Sequence, residues 1–272
     1  MTTPGDELCI GFPPAEVGSQ KRRDTAELAR QLAERLTMKV RGEHATDYRS
    51  LVDDLVTGRV DAAWLPPLGL LRAERQVRPL LVVERAGNAS YHGALVARRD
   101  AGMVGIGDLA GKRVGWVDAD SAAGYVLSRA LIAELHRDVD AFLGPQRLLG
   151  SHRAVVEAVL DGTVDAGGTF LNIGRDGRIV LSAWQEFLGD RASELAPIAI
   201  TGSIPGDVIA VRSQLPAEQA QALVSALRDL LADPHGRAVI AAVFHGAAAF
   251  SEPRSDAYDP LADQARRAGW RP

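Results

Sequence analysis

The sequence predicts an α/β protein built from two similar lobes. Three observations predict it: the length of the chain, an alternation of strand and helix signals, and a short pattern that occurs twice. The chain has 272 residues, which suits two domains of ordinary size better than a single core. Hydrophobic residues make up 46% of the chain and charged residues 24%, as is usual for a folded globular protein.

The first part of the chain alternates between strand and helix patterns. The apolar runs that predict buried strands are 8–12, 38–42 and 60–65. The stretches with helical spacing between them are 24–36 and 47–57. Asp24 and Glu27 predict a capping box at the first helix, and Gly58 predicts the end of the second. This order predicts a mostly parallel sheet with helices on both faces.

The same alternation continues to the end of the chain. Further strands are predicted at 79–84, 92–98, 112–117, 164–167, 179–181 and 207–211. Further helices are predicted at 122–135, 151–160, from Pro216 onward and again from His235. Both strands and helices therefore occur in each half of the chain.

One pattern is shared by the two halves. Residues 55–63 and 159–167 each read as the end of a helix, a glycine, and a strand that begins Val-Asp-Ala. Two similar lobes would produce this match, and so would a chance match of common helix–turn–strand chemistry. The predicted boundaries are 1–90 plus 208–272 for one lobe, and 91–207 for the other.

The composition excludes several classes of function. A net charge of −4 and a pI of about 5.9 do not suit a surface for nucleic acid or anionic membrane. The single cysteine, Cys9, allows no intrachain disulfide and lies in an apolar run that predicts a buried thiol. The histidines lack the spacing of metal ligands. No Walker, Rossmann or nucleophile-elbow pattern follows a strand, so we expect no cofactor, no metal and no catalytic residue.

The sequence also carries no membrane or export signal that can be read from its pattern. No window approaches about 18 consecutive apolar residues. The first five residues show no basic segment followed by an apolar stretch. The expected location is the cytoplasm for the chain as written, or outside it if an export signal has been removed.

Two helix starts are candidates for binding an anion. In 116–125 a strand ends, small residues turn the chain and a helix begins, so its unpaired amides and dipole favour an oxyanion, with the Ser121 hydroxyl as another donor. At 150–153, Ser151 can cap a second helix while His152 reaches outward as a neutral donor. The alternatives are that Asp120 or Ser121 only caps its helix, and that His152 is exposed without a ligand.

Five short motifs occur in an order that resembles a known family. They are Ala45–Tyr48, Val60–Trp64, Asp118–Tyr125, Gly150–His152 followed by Val164–Asp165, and Ile204–Asp207. They resemble the PhnD-type phosphate, phosphite and phosphonate substrate-binding proteins of ABC importers, which have the type II periplasmic-binding-protein fold. The likeness covers nearly the whole chain.

This resemblance implies a function and a set of ligand contacts. It implies that a small oxyanion or small acid binds in a cleft between the lobes, and that an ABC permease is the partner. The implied ligand-binding residues are Tyr48, Tyr91, Ser121, the amides of Ala122 and Ala123, His152 and Asp207. A second tier comprises Trp64, Thr169 and Asn172. Asp207 would accept a hydrogen bond from an ammonium group or from a proton on the oxyanion.

Two departures from the family pattern bear on the ligand. Ala122 stands where aminophosphonate binders of the family have a hydroxyl residue, and Asn172 aligns with a carboxylate that would bind the ligand amine. Both changes disfavour 2-aminoethylphosphonate. Phosphate, phosphite, a simple phosphonate or another small acid is favoured instead.

Two alternatives of other classes stay open at this point. One is a cytoplasmic enzyme on the same fold, similar to the lyases that dehydrate chorismate, with Asp207 or His152 as acid or base. The other is a cytoplasmic ligand sensor. A shared fold does not choose among these functions.

Overall fold

A computed structural model describes residues 7–15, 17–136, 138–254 and 256–272, with the backbone only at Glu74. The strands are β1 Glu7–Phe12, β2 Lys39–His44, β3 Ala62–Leu65, β4 Val77–Arg85, β5 Ser90–Arg98, β6 Val114–Trp116, β7 Gln146–Leu148, β8 Ala166–Ile173, β9 Ile179–Ser182, β10 Leu195–Pro205, β11 Val208–Arg212 and β12 Ala247–Ser251. The α-helices are α1 Gln20–Leu36, α2 Tyr48–Val56, α3 Pro67–Ala73, α4 Leu127–Leu135, α5 Val139–Phe142, α6 His152–Leu160, α7 Ala183–Leu188, α8 Ala217–Leu230, α9 Pro234–Val243 and α10 Asp259–Arg267. Residues 1–6, on which the expectation about an export signal depends, lie outside the described part.

The chain folds into two units, each with its own sheet. The first unit comprises the chain up to Ala89, Gly206–Ala257 and Pro272, and the second comprises Ser90–Pro205 and Tyr258–Arg271. The chain thus leaves the first unit, returns to it, and leaves it again near its end. The predicted boundaries placed all of 208–272 in the first lobe, whereas Tyr258–Arg271 belongs to the second unit.

The sheet of the first unit has the strand order β12-β4-β11-β3-β1-β2. Strand β1 is parallel to β2 and β3, whereas β11 runs antiparallel to β3 and β4. One face of this sheet packs against α1, α8 and α9. The fully buried large side chains at this face include Leu8, Phe12, Leu28, Leu32 and Phe244.

The sheet of the second unit has the order β10-β5-β8-β6-β7, and β9 pairs with β8. Strand β6 is parallel to β7 and β8, and β5 is antiparallel to β8 and β10. A core around Leu95, Leu109, Trp116 and Ile132 fills one face. Both sheets are mixed and carry helices, which confirms the predicted α/β class. Parallel pairing is confined to three neighbouring strands in each unit, because the next strand along, β11 in the first sheet and β5 in the second, pairs antiparallel.

The repeated pattern in the two halves corresponds to a repeated structure. Ile10 pairs with Gly42 and Ala62 in the first sheet. Val114 pairs with Gln146 and Ala166 in the second, at the same spacing along the chain. The match between the halves therefore reflects two equivalent β–α–β–α–β arrangements.

In each copy of the repeat, an aspartate before the third strand bonds the backbone of the first strand or of the residue just before it. The Asp61 carboxylate accepts from the Cys9 amide at 2.9 Å, and the Asp61 amide donates to the Cys9 carbonyl at 2.8 Å. Asp165 makes the same two bonds with Arg113, both at 2.9 Å. Each aspartate thereby fixes the register of the third strand against the first, since one residue bonds both backbone groups of its neighbour.

Local signals predicted most element positions, with one error at the first helix. Helix α1 begins at Gln20 with Ser19 as its N-cap, whose side chain accepts from the Arg22 amide. The predicted capping box of Asp24 and Glu27 is wrong, because the helix has already completed its first turn there.

The cysteine prediction is confirmed: Cys9 is buried and unpaired, and burial raises the pKa of its thiol.

Other elements were not predicted at all. Strands β7, β10 and β12 and the last helix α10 lack a strong period in the sequence. No helix in the described ranges has the length and apolar character needed to cross a membrane.

Replacing Asp61 by alanine should destabilise the protein by about 1–3 kcal/mol, because it leaves the buried Cys9 amide without its acceptor. Asp165→Ala should cost less, since Arg113 is exposed and water can replace the carboxylate. Urea unfolding of both variants measures the difference.

The matched control is Asp229→Ala, at an exposed position of α8, which should stay within about 0.5 kcal/mol of the unchanged protein. A loss for Asp165→Ala as large as that for Asp61→Ala would contradict the interpretation.

Candidate functional site

Two loops of the second unit are bonded to each other where β6 and β7 end. The Leu149 amide donates to the Trp116 carbonyl, and the Gly150 amide donates to the Val117 carbonyl, both at 2.8 Å. Strands β6 and β7 are parallel, so both loops leave the same edge of the sheet. The two helix starts that the sequence singled out therefore lie side by side.

The first of these helix starts is a π-helical turn, Ala122–Val126, that continues into α4. Ser121 is its N-cap, with Oγ accepting from the Gly124 amide at 3.0 Å. The first amides of a helix have no carbonyl of the same helix to bond, and here those include the amides of Ala122 and Ala123. The amides that the sequence analysis proposed as oxyanion donors thus lie at the start of a helix. Ser121 also performs the capping role that was its alternative.

Two glycines let this turn lie close against the sheet. A Cβ on Gly168 of β8 would come within 2.8 Å of the Gly124 carbonyl oxygen, and one on Gly93 of β5 within 3.0 Å of the Ala123 carbonyl oxygen. No other residue type fits these distances without moving the turn. The glycines therefore set how near the amides of the turn lie to the neighbouring strands.

His152 is the first residue of the second helix start. Ser151 is the N-cap of α6 and accepts from the Ala154 amide at 3.1 Å. The imidazole Nδ1 of His152 is 3.0 Å from Thr169 Oγ1, and the ring packs edge-on against Phe170. Thr169 is fully buried, so this contact fixes the orientation of the imidazole.

Asn172 and Tyr91 lie on neighbouring strands of the same unit. Asn172 is 1% exposed, and its Nδ2 donates to the Ser90 carbonyl at 3.3 Å. Its Oδ1 is buried and has no hydrogen-bond partner within the described part of the chain. Tyr91, also buried, follows Ser90 on β5. A buried acceptor without a donor is costly, and this amide oxygen is therefore a candidate ligand contact.

Tyr48, in the first unit, occupies the position that corresponds to His152. It is the first residue of α2, after the N-cap Asp47, whose carboxylate accepts from the Ser50 amide at 2.6 Å. That bond lowers the pKa of the Asp47 carboxyl below its ordinary value. The Ala45 amide donates to the Phe12 carbonyl, as the Leu149 amide does to Trp116 in the other unit. Each unit thus presents a polar ring at the equivalent helix start.

Asp207 lies in a buried ion pair that the sequence analysis missed. Its Oδ2 accepts from Arg85 Nη2 at 2.6 Å, and both side chains are buried. Arg85 Nε also donates to the carbonyls of Phe244 and His245. The expected acceptor is therefore already neutralised in part by a guanidinium group. No local pattern marked Arg85, because its partner is distant along the chain.

Trp64 lies next to this ion pair. Its ring is 6.0 Å from the guanidinium carbon of Arg85 and packs edge-on against Phe244. The side chain is 4% exposed, and its indole N–H has no acceptor among the residues that the structure describes. The indole N–H of Trp64, in the first unit, is therefore a second candidate ligand contact.

The described residues contain no group of three or more His, Cys, Asp or Glu side chains arranged to hold a metal ion. The polar groups at the helix starts are hydroxyl, amide and imidazole groups. Such donors suit an oxyanion.

Replacing Arg85 by methionine should destabilise the protein by about 3–5 kcal/mol, because it leaves the Asp207 carboxylate buried without its partner. Adding Asp207→Asn removes that charge and should restore part of the loss. Chemical denaturation of the single and double variants forms the double-mutant cycle. A double variant whose loss equals the sum of the two single losses would contradict the coupling.

Comparisons with known proteins agree with the fold. The phosphate-import protein PhnD of Mycolicibacterium smegmatis is 28% identical over 188 residues, which are 61% of this chain and 58% of that protein. The match thus spans less than two thirds of that relative. A binding protein component of an ABC phosphonate transporter from Pseudomonas aeruginosa superposes with a TM-score of 0.82 at 19% identity, covering 97% of this chain and 87% of that one.

A second solved structure is similar over almost its whole length. PhnD1 of Prochlorococcus marinus in complex with methylphosphonate has a TM-score of 0.79 at 16% identity, covering 97% of this chain and 98% of that chain. These likenesses confirm the predicted type II periplasmic-binding-protein fold. Residues 10–258 match the model of a family described as ABC transporter, phosphonate, periplasmic substrate-binding protein. The chain therefore belongs to the family of phosphonate-binding substrate-binding proteins of ABC transporters, as its motifs predicted.

Proposed function

We propose that the protein binds a small phosphorus oxyanion, such as phosphate, phosphite or a simple phosphonate, as the substrate-binding component of an ABC importer. The observation that carries this proposal is the pair of adjoining helix starts in the second unit. One offers the Ser121 hydroxyl and the amides of Ala122 and Ala123, and the other offers the His152 imidazole. Membership of the family and the phosphate-import relative support the ligand class.

The chemistry of these donors fits a tetrahedral oxyanion. Each oxygen of such a group accepts more than one hydrogen bond, and backbone amides at a helix start donate along the helix dipole. A formal positive charge is not required, because hydrogen bonds to an ionised acceptor are stronger than bonds between neutral groups. From the first unit, we propose Tyr48, Trp64 and Asp207 as further ligand contacts.

Asn172 supports a ligand without an amine. Its amide is uncharged, and its buried Oδ1 can accept one hydrogen bond from a ligand hydroxyl. An ammonium group would bind better to a carboxylate, since both charges would then be compensated. Phosphate, phosphite and methylphosphonate are therefore proposed ahead of 2-aminoethylphosphonate.

We propose binding without catalysis, together with a permease partner. The family consists of substrate-binding proteins, and no observation on His152 or Asp207 favours a lyase. The family is described as periplasmic, which supports the second of the two expected locations, outside the cytoplasm. Fractionation of cells that produce the natural protein tests the location, and co-purification with the permease tests the partner.

Removing a proposed donor should weaken binding without unfolding the protein. Ser121→Ala and His152→Phe should each raise the Kd for methylphosphonate by about 10- to 100-fold, because each removes one hydrogen bond to a charged group. Isothermal titration calorimetry measures the Kd, and circular dichroism verifies the fold of each variant. Ser121→Ala should also lower the free energy of unfolding by about 1 kcal/mol, because the cap is lost.

The matched controls are Ser193→Ala and His235→Asn, two exposed positions whose Kd should not change. A separate expectation concerns Asp207: if its carboxylate accepts a hydrogen bond from a protonated ligand oxygen, sulfate should bind more weakly than phosphate. The proposal fails if phosphate, phosphite and methylphosphonate at millimolar concentration produce neither heat nor a rise in Tm.

Asn172→Asp should change the selectivity of the site. The new carboxylate should raise the affinity for 2-aminoethylphosphonate relative to methylphosphonate by about tenfold, because it supplies the partner that the ammonium group lacks. Asn172→Ala is the control, since it removes the amide without adding charge. An unchanged ratio of the two Kd values in Asn172→Asp would show that Asn172 does not contact the ligand.

A further inference from the structure

The last helix belongs to the unit that holds the proposed oxyanion loop. The chain before it, Gly206–Ala257, is part of the first unit, whereas Tyr258–Arg271 is part of the second. Helix α10 packs on α4, the helix that continues the π-helical turn. The buried side chains of α10 are Leu261, Ala262 and Ala265. The last helix therefore packs on the helix that continues the turn capped by Ser121.

A glycine directs the residue after α10 back toward this unit. Gly269 has φ +85°, a left-handed conformation that glycine adopts without strain. The Gly269 amide donates to the Arg266 carbonyl, and the Trp270 amide donates to the Ala265 carbonyl. This pair of bonds is a Schellman motif, which ends the helix and reverses the chain. Trp270 consequently returns to the surface on which α10 packs.

The indole of Trp270 bonds a carboxylate next to the oxyanion loop. Its Nε1 donates to Asp120 Oδ1 at 2.7 Å. Trp270 is 9% exposed and Asp120 is 7% exposed, so water competes little for this bond. Asp120 directly precedes Ser121, and its amide donates to Asp118 Oδ1 at 2.8 Å. The carboxylate thus stands beside the proposed anion site and is oriented by the tail.

The position of Asp120 makes this orientation important. An aspartate at the start of a helix ordinarily accepts from the amides two or three residues further on, which here are those of Ala122 and Ala123. These are the amides that the proposed oxyanion needs. A carboxylate bonded to them would occupy the site and repel a second anion. The bond to Trp270 gives Asp120 another partner, while Ser121 supplies the cap.

We propose that Trp270 is a positioning residue that keeps the Asp120 carboxylate away from the oxyanion-binding amides, so that the C-terminal tail sets the affinity of the site. The proposal rests on the proposed function of the Ser121 loop. It adds a residue distant along the chain from every family motif. It also explains how a buried aspartate is tolerated directly before an anion-binding loop.

The decisive variant is Trp270→Phe, which keeps an aromatic ring and removes the N–H donor. The Kd for methylphosphonate should rise by about tenfold. Adding Asp120→Ala removes the competing carboxylate, and the Kd of the double variant should return to within about threefold of that of Asp120→Ala alone. A tenfold loss that persists in the double variant would overturn the proposal and indicate a general structural role.

Two further variants serve as controls. Asp120→Asn keeps an oxygen that can accept from the indole, so its Kd should be equal to that of the unchanged protein or lower. Trp184→Phe is the same substitution at a buried position of α7 in the same unit, and it should leave the Kd unchanged. A Trp184→Phe effect as large as that of Trp270→Phe would contradict the specific role of the tail.

A measurement without ligand separates this proposal from the proposed function. In Trp270→Phe, the Asp120 carboxylate loses its indole donor and should bond the amides of Ala122 and Ala123. The hydrogen exchange of these amides, measured by NMR, should slow by about tenfold relative to the unchanged protein. Unchanged or faster exchange would overturn the proposal. If the unchanged protein binds no phosphorus oxyanion, the proposed function fails, and the exchange rates still decide the role of Trp270.

Discussion

Two backbone hydrogen bonds, from the amides of Leu149 and Gly150 to the carbonyls of Trp116 and Val117, are the constraint on which the candidate site depends. They join two loops that leave neighbouring parallel strands, and each loop then starts a helix. Without them, the Ser121 turn and His152 would be separate helix starts with ordinary caps. With them, hydroxyl, amide and imidazole donors lie at one edge of one sheet, where an oxyanion can be bound by several bonds at once.

The close approach of the π-helical turn to the sheet has a different origin, since it depends on residues that have no side chain. Gly93 and Gly168 leave room for the carbonyls of Ala123 and Gly124, so the turn lies against two strands. Once it lies there, its polar groups are buried, and a buried polar group without a partner is costly. Ser121 caps the turn and Trp270 bonds Asp120. In the first unit, Arg85 pairs with Asp207, and the buried Trp64 indole N–H has no partner among the described residues.

Patterns among neighbouring residues predicted the parts of the fold that depend on local structure. Hydrophobic period and turn residues predicted the first strands and helices. The Val-Asp-Ala repeat correctly indicated two equivalent arrangements, in which Asp61 and Asp165 make the same backbone bonds. The predicted start of α1 at Asp24 was wrong, because Gly18 and Ser19 start the helix earlier. Strand β10 was not predicted, because its register against β5 shifts twice and disturbs the alternation of buried and exposed residues.

The sequence by itself determined the α/β class, the family, and the chemical types at the two helix starts, because periodicity, caps and short motifs are properties of neighbouring residues. The tertiary structure alone decided which polar groups meet. Arg85 with Asp207, His152 with Thr169, and Trp270 with Asp120 are pairs of residues far apart along the chain. Their partners are fixed by strand order and helix packing, which no local pattern encodes. The notion of an anion-binding loop therefore came from the sequence, and the tail that holds its neighbouring carboxylate came from the fold.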